Sequence, residues 1–278
     1  MKNKIKNINF KEKYGPYALV AGGSDGLGAA YAEALACRGL NLVLIARRKD
    51  QMEATAVRLK EKYNIDVKTI AADLAEFEKT KDLITKLKVQ IGLLVYNAAY
   101  APIGLFENIS EEQLSMASAV NVRAPLLLAK LLSAPMILNK RGGIILMSSL
   151  AGAQGSPKLA AYAATKAFNA VLAEGLWKEL KPHGINVIGC CAGAILTPGY
   201  QAAVASAERT AESEGSTKKA APGALQASDV AEITIKALGK RPVVIPGVVN
   251  KIARFVLTRL VSRKAAINIM SKNTGGLS

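Results

Sequence analysis

Three side chains in this chain are spaced to move a proton: Ser149, Tyr162 thirteen residues later, and Lys166 four residues beyond that. Residues four apart on a helix share one face, so Tyr162 and Lys166 stand together. A free tyrosine titrates near ~10, which makes it a poor acid–base group at neutral pH. An ammonium about 4 Å from the phenol, at an effective dielectric of about 20, favours the phenolate by roughly 4 kcal/mol. That is roughly three pKa units, enough to bring the phenol into a range where general acid–base catalysis contributes about 10²–10⁴-fold. Ser149 supplies a hydroxyl that can donate to an oxygen on which charge develops. Such a trio serves a carbonyl that is gaining or losing a proton. Ser148 competes for the serine role, and the spacing to Tyr162 selects Ser149.

A second motif lies near the start of the chain: Gly22-Gly23-Ser24-Asp25-Gly26-Leu27-Gly28, between an apolar run and a helical stretch. Glycine lets backbone come close to a pyrophosphate, and a helix N-terminus offers free N–H groups to phosphate. The turn therefore reads as a dinucleotide cradle, although its spacing differs from G-x-G-x-x-G. At the end of the second apolar run an acid would bind a ribose 2′-hydroxyl and repel a 2′-phosphate. Here Ala46-Arg47-Arg48-Lys49 stands instead, which favours the phosphate, with Arg47 best placed for a forked contact. This predicts NADP(H). Asp73 closes the third run and is suited either to the adenine amino group or to capping the next helix.

Positioning these groups takes an alternating scaffold. Short apolar runs at Ala18–Ala21, Leu42–Ala46, Val67–Ala71, Leu93–Tyr96, Gly143–Ser148, Asn186–Cys191 and Pro242–Ile245 read as strands buried on both faces. Helices are expected over 26–38, 50–63, 76–88, 111–139, 160–181 and 228–238. The fold class that follows is α/β: a doubly wound, seven-stranded, Rossmann-type parallel sheet with helices on both faces. The expected organisation is a basic segment over 1–13, one NADP-binding catalytic domain over 14–247 with a flap at about 196–226, and a basic helical extension over 248–278. Ile252–Ile269 reads as one helix in which Arg259 and Arg263 fall close to the apolar side. That pattern fits a packed terminal helix or a dimer contact better than a membrane anchor.

Composition narrows the function classes. The chain has 278 residues, half of them hydrophobic, which suits one large core. The net charge of +16 is concentrated at the ends: +4 over residues 1–13 and +8 over 240–278. Basic ends suit an acidic carrier protein or an anionic membrane face. Nucleic acid is excluded, because no recognition motif accompanies the charge and aromatics are scarce. Three cysteines, two of them adjacent, make no disulfide framework and fit a reducing, cytoplasmic setting. The segment over 1–13 has no secretory apolar stretch, and no uninterrupted apolar run approaches bilayer length. A single histidine, His183, before Gly184, argues against a Ser-His-Asp hydrolase and a histidine metal site, so no metal is expected. No Gly-Lys-Ser/Thr phosphate loop is present.

Taken in this order, the glycine turn, Asp73, Asn97-Ala98-Ala99, Asn121, Ser149, Tyr162 and Lys166 resemble the short-chain dehydrogenase/reductase family over residues 14–247. The resemblance implies a catalytic set of Asn121, Ser149, Tyr162 and Lys166, with Asn121 holding a water that links Lys166 to solvent. It implies a cofactor set of Gly22, Ser24, Asp25, Gly26, Leu27, Gly28, Arg47, Arg48, Asp73, Leu74, Asn97, Ala98, Tyr162, Lys166, Ile195 and Thr197. It also implies a homodimer or homotetramer formed through helices 111–139 and 160–181. Tyr14-Gly15-Pro16, Tyr31-Ala32-Glu33 and Leu42-Val43-Leu44-Ile45 are similar to the branch of very-long-chain 3-ketoacyl-CoA reductases and 17β-hydroxysteroid dehydrogenases. That points to NADPH and a large apolar ketone. Ala21, Ala99 and Ala192 depart from the family's Thr, Gly and Pro, beside the acid–base group. The alternative is a non-catalytic NADP-binding scaffold that acts through protein or membrane interactions.

Overall fold

The apolar runs fold as strands because most of their residues are screened from water; the run Val67–Ala71, with partly buried Lys68 and Thr69 and exposed Ala71, is an exception at the sheet edge. The computed structural model describes residues 9–201 and 221–274. A short helix, α1 (9–14), leads into β1 (Tyr17–Ala21), α2 (Gly26–Ala36), β2 (Asn41–Ala46), α3 (Lys49–Tyr63), β3 (Val67–Ala71), α4 (Phe77–Lys86) and β4 (Ile91–Tyr96). Helices α5 (Glu111–Ser118) and α6 (Ala124–Leu138) precede β5 (Gly142–Ser149), and α7 (Ala160–Leu180) precedes β6 (Ile185–Ala192). The strands are parallel, and with β9 (Val243–Val244) they form the expected seven-stranded sheet, in the order β3-β2-β1-β4-β5-β6-β9.

Side chains alternate between two cores. Ala18, Val20, Leu42, Leu44, Leu93, Val95, Ile145 and Ile188 pack with Tyr31 and Leu35 of α2, and with Met52 and Leu59 of α3. Leu19, Val43, Ile45, Leu94, Ile144, Leu146 and Val187 pack with Phe77 and Ile84 of α4, and with Leu128, Leu132 and Met136 of α6. Each large side chain fully buried in this way contributes about 1.5–3 kcal/mol. Two-sided burial explains why these runs read as continuous rather than alternating hydrophobics.

Register sets the site. Ala21 stands level with Ile45 on β2 and with Tyr96 on β4, and Ser149 stands level with Ala192 on β6. The residues just past each strand therefore share one edge: Gly22, Arg47, Asp73, Asn97, Leu150 and Gly193. The strand order reverses between β1 and β4, the crevice where open α/β sheets bind ligands.

Three expectations change. Helix 111–139 is continuous from Glu111 to Leu138 but contains a π-turn at Ala119–Arg123, centred on Asn121. Its apolarity is that of a core helix, with Ala124, Leu128, Leu132 and Met136 buried. The flap is closed at its base by a two-stranded parallel pair, β7 (Ile195–Leu196) and β8 (Leu225–Gln226), after which comes α9 (Ala227–Ala237). A short helix, α8, starts at 198. The remainder of the flap, 202–220, lies outside the described residues, as do 1–8 of the basic N-terminal segment. The helix expected over Ile252–Ile269 is instead α10 (Val248–Phe255), a π-turn at Val256–Leu260, and α11 (Arg263–Thr274).

The glycine turn is sterically closed. A Cβ on Gly28 would stand 1.8 Å from the Gly22 carbonyl oxygen, whereas a Cβ on Gly175, exposed in α7, would meet nothing within 4 Å. Gly28→Ala is expected to cost about 2 kcal/mol or more through backbone displacement. Gly175→Ala is expected to add up to about 1 kcal/mol through helix propensity. Urea melts of the two variants check both signs, and equal effects would refute the steric account.

Candidate active site

The glycine turn begins where β1 ends. Gly22 and Gly26 have φ of +79° and +52°, conformations that disfavour any side chain. A Cβ on Gly22 would approach the Ala98 nitrogen to 2.8 Å, and one on Gly26 would approach Thr197 Cγ2 to 3.0 Å. Bare backbone here is what keeps the crevice open to a pyrophosphate. Asp25 caps α2 by accepting from the Gly26 amide at 2.7 Å, and its second oxygen lies 3.5 Å from an Arg48 nitrogen. Gly28 stands within the first turn of α2 and acts by close packing rather than by lining the crevice.

Two adjoining cavities form one cleft along the carboxyl edge of the sheet. The first, about 390 Å³, is lined by Gly22, Ser24, Asp25, Arg47, Arg48, Asp73, Leu74, Asn97 and Ala98 of the expected cofactor set. The second, about 470 Å³, is lined by Asp25, Gly26, Leu27, Arg48, Asn97, Ser149, Tyr162, Lys166, Ile195 and Thr197. Asp25, Arg48 and Asn97 belong to both. Asp73 faces the first cavity, and its Oδ1 accepts from the Ala75 amide at 2.9 Å in the turn before α4; it does not cap that helix, which starts at Phe77 with no side-chain cap. Asn97 Nδ2 donates to the Gly22 carbonyl at 3.2 Å, which ties the end of β4 to the glycine turn.

Ser149, Tyr162 and Lys166 sit together at the far end. Ser149 closes β5 and is hydrogen-bonded to Tyr162; its Oγ also accepts from the Ala151 amide at 3.2 Å. Lys166 is 3% exposed. Its Nζ donates to the Met147 carbonyl at 3.2 Å and lies 5.6 Å from the Tyr162 ring centroid. Ser148 is not the competing donor: its Oγ donates to the Lys166 carbonyl at 2.7 Å and pins α7 to β5.

The electrostatics differ from the expectation of an acidified phenol. Burial pushes the Tyr162 phenol up, and the Ser149 hydrogen bond offsets this only in part. Burial also pulls Lys166 down to about 8. Desolvation disfavours the charged form of each, so it raises a phenol and lowers an amine. Burial is the largest influence on the phenol, with the ammonium 5.6 Å from the ring centroid.

Asn121 is fully buried, and its side chain is fully engaged. Oδ1 accepts from the Tyr100 amide at 2.8 Å, and Nδ2 donates to the Tyr100 carbonyl at 2.6 Å and to Thr165 Oγ1 at 3.1 Å. The π-turn turns its main-chain carbonyl toward α7, where Asn169 Nδ2 donates to it at 2.8 Å. Tyr96, at the end of β4, donates to the neighbouring Val120 carbonyl at 2.5 Å. Thr165 and Asn169 are site residues that spacing analysis missed. Asn169 lies three positions after Lys166 and seven after Tyr162, so it shares their helix face; that periodicity was the available signal. Tyr100, Val120, Met147 and Gly193 also line the cleft. Among the described residues, no group of three or more His, Cys, Asp or Glu is placed to hold a metal. His183 is exposed in a 3₁₀ turn.

Known proteins are similar to this chain in sequence and fold. A 7beta-hydroxysteroid dehydrogenase of Clostridium sardiniense is 28% identical over 245 residues, which is 88% of this chain and 90% of that protein. A very-long-chain 3-oxoacyl-CoA reductase of Phaeosphaeria nodorum is 33% identical over 62% of this chain, and the match spans about half (53%) of its length. The solved structure from a study of 7beta-hydroxysteroid dehydrogenase stereoselectivity superposes with a TM-score of 0.83 at 25% identity, covering 94% of this chain and 98% of the other. A short-chain dehydrogenase of Sphingobium yanoikuyae, solved in complex with NADPH, gives 0.70 at 27% identity, covering 83% and 87%. The family model for short chain dehydrogenase matches residues 16–208. With that match laid over a seven-stranded parallel sheet and a Ser149, Tyr162, Lys166 cleft, the chain belongs to the short-chain dehydrogenase family of oxidoreductases.

Proposed function

We propose that the protein is an NADPH-dependent reductase that interconverts a ketone and a secondary alcohol, on an apolar substrate such as a 3-ketoacyl thioester or a steroid-like ketone. One observation carries this reading: Ser149, Tyr162 and Lys166 converge at one end of a cleft whose other end reaches Arg47. Arg48 is shared with Asp25, which leaves the forked phosphate contact to Arg47. The NADPH-bound relative and the two relatives named for hydroxysteroid and 3-oxoacyl-CoA chemistry support the cofactor and the substrate class. The trio is intact and assembled, which weighs against the scaffold alternative.

When bound, the nicotinamide supplies hydride to the carbonyl carbon. Tyr162 gives its phenolic proton to the carbonyl oxygen, and the raised pKa keeps that proton in place at neutral pH. Ser149 donates to the same oxygen as charge develops there. Lys166 stands under the Tyr162 ring, where its charge favours the phenolate left after transfer. The Asn121 carbonyl, rather than its amide, is the group available to hold a water toward Lys166. Cys37, Cys190 and Cys191 form no disulfide, which suits a cytoplasmic setting. Exposed Leu126 on α6 and Val171 on α7 suit a homodimer or homotetramer through those helices.

Tyr162→Phe is expected to lower turnover by about 10²–10⁴-fold while keeping the thermal shift given by NADPH. Nicotinamide absorbance against a panel of acyl thioesters, steroids and diketones measures this, and full turnover by the variant sinks the reading. NADPH is expected to raise the melting temperature more than NADH, and Arg47→Ala is expected to erase the difference. A larger shift with NADH would refute the assignment to Arg47.

Lys166 also makes a pH prediction. Its folded pKa, about 8, lies below the unfolded value of 10.5. Between these values the unfolded chain binds the extra proton, so this group adds stability as pH rises through that window and subtracts from it at neutral pH. Lys166→Met is expected to flatten the rise, measured as urea melts on either side of the window.

A further inference from the structure

The strongest feature outside the cleft is α10 with its following π-turn. Val248, Val249, Ile252 and Phe255 are 70%, 52%, 58% and 57% exposed, and Leu260 in the π-turn is 66% exposed. Positions i, i+1, i+4 and i+7 fall on one helix face, so these four form a single apolar ridge. Asn250, on the opposite face, is 4% exposed and donates to the Gly223 and Pro246 carbonyls at 3.1 and 3.0 Å. The ridge is thus held outward by a buried polar anchor.

The charge carried by this segment has one sign. No acidic residue follows Glu232, while Lys251, Arg259 and Lys264 are exposed beside or beyond the ridge. As one continuous helix, this segment would set Arg259 and Arg263 near the apolar side. The break after Leu260 separates them. Arg263 instead donates to the Ala153 carbonyl at 2.7 Å, and Arg254 turns inward to Cys191. A second exposed patch, Ile103, Leu105 and Phe106, is followed by exposed Glu107, Glu111 and Glu112 and lacks this complementarity.

We propose that α10 and its π-turn are an interfacial anchor that seats the protein on an anionic lipid surface, with Val248, Val249, Ile252 and Phe255 in the acyl boundary and Lys251 and Arg259 among the headgroups. A convex apolar ridge flanked by cations suits a planar anionic interface. A second copy of the chain suits it poorly, because pairing two such faces brings like charges together. The location has a consequence that rests on the ketone reading. Arg263 grips the loop that follows Ser149, and Asn250 packs against Gly193 in the cleft wall. A lipid-seated α10 therefore places the cleft beside the membrane in which an apolar ketone dissolves.

Sedimentation with vesicles tests the anchor without any turnover measurement, so its failure is distinct from failure of the reductase reading. The full chain is expected to pellet with vesicles of about one-third phosphatidylglycerol in phosphatidylcholine, and at least about tenfold less with phosphatidylcholine alone. Ile252→Asp with Phe255→Asp, and separately Lys251→Glu with Arg259→Glu, are each expected to weaken binding by about tenfold or more. Lys60→Glu with Lys86→Glu, on α3 and α4, is expected to change binding by less than about twofold. Equal loss with the Lys60 and Lys86 pair would reduce the effect to diffuse charge and overturn the anchor. Absence of wild-type pelleting would overturn it as well, as would a dimer that the Ile252 and Phe255 variant converts to monomer.

Discussion

The site depends on an amine held out of water. Lys166 is buried between β5 and α7, and its Nζ is satisfied by the Met147 carbonyl. An uncompensated ammonium at that depth would be costly, and the chain answers partly with the hydrogen bond and partly by lowering the pKa to about 8. The same burial raises the Tyr162 phenol. The two groups are thus moved apart on the pH scale, the phenol up and the amine down, by one cause, desolvation. Environments that push two pKa values apart give the groups distinct roles: the phenol keeps a proton to give, and the amine is the first of the two to lose one.

Holding α7 in register against β5 is the task of polar groups that do no chemistry. Ser148 accepts the role of latch through the Lys166 carbonyl, and Asn169 fastens the next turn to the Asn121 carbonyl. The π-turn makes the second contact available, because one extra residue in the helix frees a carbonyl that an α-helix would consume. Tyr96 and Tyr100 secure that turn from the β4 side. A helix, a sheet edge and a helix defect are therefore cross-linked through buried side chains. Such a network has few ways to relax, which keeps Tyr162 aligned with Ser149.

The C-terminal elements extend this logic to the surface. Asn250 reaches Gly223 at the base of the flap, and Arg263 reaches the loop beyond Ser149. The extension is thereby tied to the base of the flap and to the loop beyond Ser149.

The apolar runs were enough to place the six longer strands within a few residues, and the seventh in outline, because strands buried on both faces leave an unbroken hydrophobic signal. The glycine turn and the Ser149, Tyr162, Lys166 spacing were equally legible, since local backbone geometry and helix period act over a few residues. The π-turn at Asn121 was not legible. Nothing in Ala119–Arg123 forbids an α-helix, and the defect is selected by contacts with Tyr96, Tyr100 and Asn169, which lie far along the chain. The break at Val261 and Ser262 was also hidden, because it is fixed by Arg263 finding the Ala153 carbonyl 110 residues away. Residue types and their periods thus determined the scaffold and the reacting groups. Tertiary packing alone decided how deeply Lys166 and Tyr162 are buried, hence their pKa directions, because desolvation depends on everything around a group and on no residue's identity by itself.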